Sequence, residues 1–145
     1  MSTARYLATI DLLRARAFPA ACGRSEHGTS GPGFHIAELD TSEDFWEDDG
    51  TRREDVAAQF EAECEALAVL LSGRWGQPQQ FSLWSLLARG FDGEDIPDPW
   101  NGLSNSVPYV YIWQVDGHWI ALGVSHWDKE LPFQLVAVVT ETDPP

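Results

Sequence analysis

With 145 residues, 43% of them hydrophobic, the chain is long enough to bury one full core and short for two. Its 23 acidic residues stand against nine basic ones, a formal charge of -14 in which Lys129 is the sole lysine. A field of that sign repels nucleic acid and anionic membranes and attracts cationic partners, so nucleic-acid and lipid-surface binding are excluded as expectations.

No segment approaches the roughly 18 apolar residues that a membrane span needs. The apolar stretch 6–13 is interrupted by Asp11 and followed by Arg14 and Arg16, which does not suit an export leader. Cys22 and Cys64 have no C-x-x-C spacing, so free thiols in a reducing cytoplasm are expected.

The first predicted element is a helix over 3–17, with Tyr6, Ile10, Leu13 and Ala17 in one apolar stripe, Ser2 or Thr3 as its cap and Pro19 as its stop. Residues 22–33 hold four glycines and read as a loop. Their spacing matches neither G-x-G-x-x-G nor the lysine-bearing phosphate loop. A short strand follows over 34–40. From Glu38 to Asp49 come seven carboxylates with no basic residue, and Phe45 and Trp46 lie among them, which predicts an exposed loop or frayed turn.

Thr51 and Glu54 have capping-box spacing and open a helix running to Ser72 and stopping at Gly73. Its stripe is Val56, Phe60, Cys64 (or Glu63), Leu67 and Leu71, widened by Ala57, Ala68 and Leu70. Cys64 reads as a small buried hydrophobe, because Glu61, Glu63 and Glu65 surround it and no base is near to activate a thiol. After a turn over 74–78, residues 80–87 alternate as a strand would, with a helix over 83–89 as the other reading. Residues 90–108 read as a long Gly-, Pro- and Asp-rich loop around Trp100.

Asp116-Gly117 between two β-rich runs predicts a two-residue hairpin joining 107–115 to 118–127. That turn fixes the register: Tyr111 opposes Leu122, Trp113 opposes Ile120 and Val115 opposes His118. One face is then aromatic (Tyr109, Tyr111, Trp113), and the other is smaller (Ala121, Gly123, Ser125). Small residues admit close approach, so the 51–72 helix is expected on the smaller face. The aromatic face needs a cover: the first helix, a loop, a partner or a second copy in a homodimer. A third strand over 133–140 is apolar on both sides and is expected to be central, or buried on both faces. The fold class is therefore α+β: an antiparallel or mixed sheet of about four to five strands, ending in a three-stranded meander and packed against two helices, in a single domain over 1–145.

Chemistry is hard to find. His118 and His126 share a strand and a face but lie roughly 26 Å apart, too far for one ion. His27 and His35 add no ligand spacing, and His126 with Asp128 and Glu130 reads as a solvated strand end, so no metal site and no cofactor is expected. Residues 123–127 (Gly-Val-Ser-His-Trp) lack the final glycine of a nucleophile elbow, and Ser125 and His126 point to opposite faces. An enzyme is not the expected reading. In size, acidity and α+β make-up the chain resembles bacterial immunity proteins, which implies an inhibitor-like, non-catalytic partner of a basic protein. The expected contacts are the two acidic blocks and their tryptophans: Glu43, Asp44, Trp46, Asp48 and Asp49 in one, Asp95, Asp98 and Trp100 in the other. The alternative is a small-molecule binder, or an enzyme of unrecognised type, with a pocket at Tyr109, Tyr111, Trp113 and His126.

Overall fold

A computed structural model describes residues 3–47, 49–127 and 130–145. The fold is α+β, as expected, but the sheet is larger: seven antiparallel strands in the order β1-β2-β3-β7-β6-β5-β4. Four helices are present among the described residues.

Helix α1, Thr3–Ala15, buries Tyr6, Ile10 and Leu13. It stops short of Ala17. The segment expected to be a loop instead adds two strands, β1 (Gly23–Arg24) and β2 (Gly28–Gly31). The glycine content that suggested a loop serves sheet packing here: the Ile36 carbonyl occupies the place a Cβ at Gly28 would need. β3, Phe34–Thr41, pairs with β2 on one side and β7 on the other, with a register shift between Glu38 and Asp40.

Helix α2 runs Thr51–Trp75, three residues beyond the expected end. Gly73 does not stop it, since a Cβ there would meet nothing and the helix simply continues past it. Trp75 rewards that continuation by packing edge-on against Trp113 at 5.9 Å, and Gly76, with φ 86°, ends the helix. The capping box does not form. Gly50 is the N-cap, and the Asp49 carboxylate one residue earlier accepts from the Thr51 amide at 3.0 Å. Both readings of 80–89 hold in part: β4 is Gln79–Ser82, and α3 follows at Trp84–Phe91. Within the expected 90–108 loop lies a short helix α4, Trp100–Ser104.

The hairpin forms in the expected register, with its first strand two residues shorter and its second one residue shorter than expected. β5 (Tyr109–Val115) and β6 (His118–His126) pair with Val115 opposite His118 and Tyr111 opposite Leu122. Asp116 and Gly117 both have positive φ, 52° and 80°, which the primed hairpin turn requires. β7, Phe133–Thr140, is the middle strand of the seven.

The faces are covered the other way round from expectation. α1 and α2 lie on the aromatic face, burying Phe60, Cys64, Leu67 and Leu71 against Trp113, Ile120, Leu122, Leu135, Ala137 and Val139. The smaller face takes α3 and α4, through Leu83, Leu86, Trp100 and Leu103 on Val110, Ile112, Ala121, Val136 and Val138. A long helix gains most by meeting large side chains, since stabilisation scales with apolar area removed from water. The close approach that small residues allow is used, but by Val107 after α4: a Cβ on Gly123 would stand 2.9 Å from the Val107 methyl.

Candidate functional site

The aromatic face is closed within the chain. Trp113 is buried and its indole N–H donates to the Gly76 carbonyl at 2.9 Å. Tyr109 donates to Glu61 at 3.2 Å and packs edge-on against Tyr111 at 5.9 Å. Burial first, and the neighbouring carboxylates Glu61 and Glu65 second, push both phenols above their ordinary range. The space beside Tyr109 is about 10 Å³, no more than one water molecule. His126 stacks on Phe133 at 3.9 Å and its Nε2 meets the Leu131 carbonyl at 3.1 Å. These four residues serve core and strand-end packing, and the space beside Tyr109 is too small for a ligand.

The acidic residues fare differently. Backbone pairing carries on past β3, with the Ser42 amide donating to the Phe133 carbonyl at 2.9 Å and the Phe45 amide to the Glu130 carbonyl at 2.8 Å. Phe45 is buried edge-on against Phe133, so its neighbours project outward. The segment is therefore pinned, not frayed. Glu43, Asp44, Phe45, Trp46, Glu47 and Arg52 line a surface depression of about 430 Å³, in which Arg52 pairs with Glu43. Trp46 is 67% exposed. Asp49 is committed to the start of α2: its hydrogen bond from the Thr51 amide holds the carboxyl below the usual range. Asp48 lies outside the described residues.

The second block does not join the first. Asp95 and Asp98 are exposed, but Trp100 is fully buried, edge-on to Phe81, and its indole N–H donates to the Thr142 carbonyl at 3.0 Å. Thr142 lies just past the end of β7, whereas Glu130, which holds Phe45, lies before its start. Eight strand residues separate the two, roughly 23 Å. Trp100 is thus corrected from a surface anchor to a core residue.

Two tryptophans outside the acidic blocks are exposed instead. Trp127 follows the last residue of β6 and is 58% exposed. Trp84 opens α3 just after β4 and is 69% exposed. Strand pairing puts the exits of β3, β6 and β4 at the same end of the sheet, because Thr41 pairs with Gln134, His126 with Phe133 and Ser82 with Tyr109. Trp46, Trp127 and Trp84 therefore follow strand exits at one end of the sheet, which spans five strands there. Trp127 also borders a groove of about 300 Å³ beside α4, floored by Ile36 and Val136 and rimmed by Arg24, Glu38 and Gln134. A helical reading of 83–89 would have signalled Trp84, since it falls off the stripe of Leu83 and Leu86.

Among the described residues, no group of three or more His, Cys, Asp or Glu side chains is placed to hold a metal ion. No helix among them is long and apolar enough to cross a membrane. Comparison with protein-family models, with curated proteins and with solved structures finds no match.

Proposed function

We propose that the protein is a protein-interaction module, an inhibitor- or immunity-like partner of a basic protein, and that it presents the tryptophan-bearing end of its sheet to that partner. The observation that carries this reading is the three exposed tryptophans that follow strand exits at one sheet end, with Glu43, Asp44 and Glu47 beside Trp46. Exposed tryptophans cost solubility and are the side chains most enriched at the energetic centres of interfaces. The carboxylates around them, within a chain of charge -14, supply long-range attraction to a cationic surface.

The immobilised protein, and a Trp46→Ala/Trp84→Ala/Trp127→Ala variant, would be exposed to native lysate of the source cell at low and high salt. The expected result is a basic protein held by the wild type at low salt, held less at high salt and lost from the variant. Each central tryptophan is worth about 2 kcal/mol or more, some thirtyfold in affinity. Failure to retain any partner at either salt would overturn the reading. A ligand site at the aromatic face is not supported, because α1 and α2 fill it.

A further inference from the structure

The β1-β2-β3 register brings Gly23, Ser30 and His35 into one row on the face that α1 and α2 cover. Ser30 Oγ lies 2.6 Å from His35 Nδ1, and His35 Nε2 lies 3.2 Å from the Arg16 carbonyl. A carbonyl only accepts, so Nε2 carries the ring hydrogen and Nδ1 accepts from the Ser30 hydroxyl. The imidazole is buried and lies 4.9 Å from the Phe18 ring, which fixes its plane. This is the arrangement of an activated nucleophile: a hydroxyl on a base that a third group orients.

The same hydrogen bonds would serve a purely structural latch between the hairpin and the end of α1. Two further observations go beyond a latch. Ser30 and His35 both border an open surface depression of about 280 Å³, whose lining includes Arg16, Arg24 and Ser25. Directly across from Ser30, Gly23 has no side chain, and a Cβ built there would meet nothing within 4 Å. The row thus reads gap, nucleophile, base, with the gap at the sheet edge.

We propose that Ser30 and His35 form a nucleophile–base pair that accepts the acyl group of a small ester, independently of the interaction surface at the other end of β3. Ser30 Oγ bonds to the acyl carbon while its proton passes to His35 Nδ1. The carbon–alkoxide bond then breaks as that proton is delivered to the leaving alcohol, and water, activated by the same nitrogen, releases the acid and restores the hydroxyl. Arg16, paired with Glu26 at 2.8 Å, lines the same depression and is the proposed source of positive charge for the oxyanion.

The test uses an alkyl fluorophosphonate on the purified full chain, read by intact mass and peptide mapping. Here Oγ bonds to phosphorus, fluoride leaves, and the proton goes through Nδ1 to solvent. One adduct is expected, on Ser30, absent from Ser30→Ala and slowed about a hundredfold or more in His35→Gln. Since His35→Gln alters a buried site and could unfold the chain, Gly23→Leu is the second variant. It puts a side chain into the open space beside Ser30 while leaving both members of the pair in the sequence, and is expected to melt like the wild type yet label more slowly, by about tenfold or more. No adduct on Ser30 of the folded wild type, or equal labelling of Gly23→Leu and wild type, would overturn the proposal and leave the latch.

Discussion

Replacing Trp100 with alanine separates a core role from a binding role. The side chain is fully buried among Phe81, Leu83, Leu86, Ile96, Leu103 and Val107, and its N–H satisfies the Thr142 carbonyl at 3.0 Å. Truncating such a residue costs about 3–5 kcal/mol, from lost burial and the void left behind. At about 2 cal/mol/K per residue, a chain of 145 residues has an unfolding entropy near 0.3 kcal/mol/K. The melting temperature of Trp100→Ala should therefore fall by about 10–16 °C. Trp100→Phe keeps most of the packing and strands one carbonyl, so it should fall by about 3–7 °C. Trp46→Ala, at an exposed site, should stay within about 2 °C of wild type. Differential scanning calorimetry on the three variants decides the matter. A Trp100→Ala protein melting within about 3 °C of wild type would refute the buried placement and return Trp100 to the surface.

Three other outcomes can be checked on the same material. Gly73→Ala should stabilise by about 0.5–1 kcal/mol, because it is helical with open space at its Cβ, whereas Gly28→Ala should destabilise strongly by pushing on the Ile36 carbonyl; urea titration reads both. Glu63 should make stability fall with rising pH. Burial first and Asp40 second raise its folded-state value above that of the unfolded chain, and its Oε2 is buried without a hydrogen-bond partner among the described residues. The fold therefore binds this proton more tightly, so the benefit is complete below the unfolded value and is lost as pH climbs through the folded one. Glu63→Gln should then gain about 1 kcal/mol at neutral pH, a low figure because the side chain reaches solvent, and the gain should vanish in acid; a constant difference from about pH 4 to about pH 8 would contradict this. Finally, maleimide should modify Cys22 alone in the native protein and both cysteines in denaturant. Cys64 is buried under α2, and burial, with Glu61 and Glu65 beside it, pushes its thiol up to about 12.

The parts of the fold legible in the sequence are those set by local chemistry. Asp116-Gly117 dictates its own turn and hence the register of two strands, and the two-sided apolar run of β7 marks a central strand. What sequence could not supply was set by non-local packing. Glycines 28 and 31 look like loop residues until β3 is there to pair with them, as Gly23 does until β2 is there, and only the β2–β3 pairing brings Ser30 to His35. α2 passes Gly73 because Trp113 waits for Trp75, a contact 38 residues away in sequence. Composition marks the acidic block around Trp46 as surface, but it describes a segment and not the direction in which one ring points, and Trp100 points into the core.

The outermost strands carry a consequence for how this molecule meets others. β1 has two residues and β4 has four, so each margin of the sheet offers few unpaired backbone groups. β1 also carries Arg24, tied to Glu38 at 2.7 Å, and β4 gives way at once to α3. Margins that short and charged are poor templates for another chain's strand. Recruitment by extending the sheet, and the fibrous self-association that follows from it, are thereby disfavoured, and contacts made by side chains at the strand ends become the route open to a visiting protein.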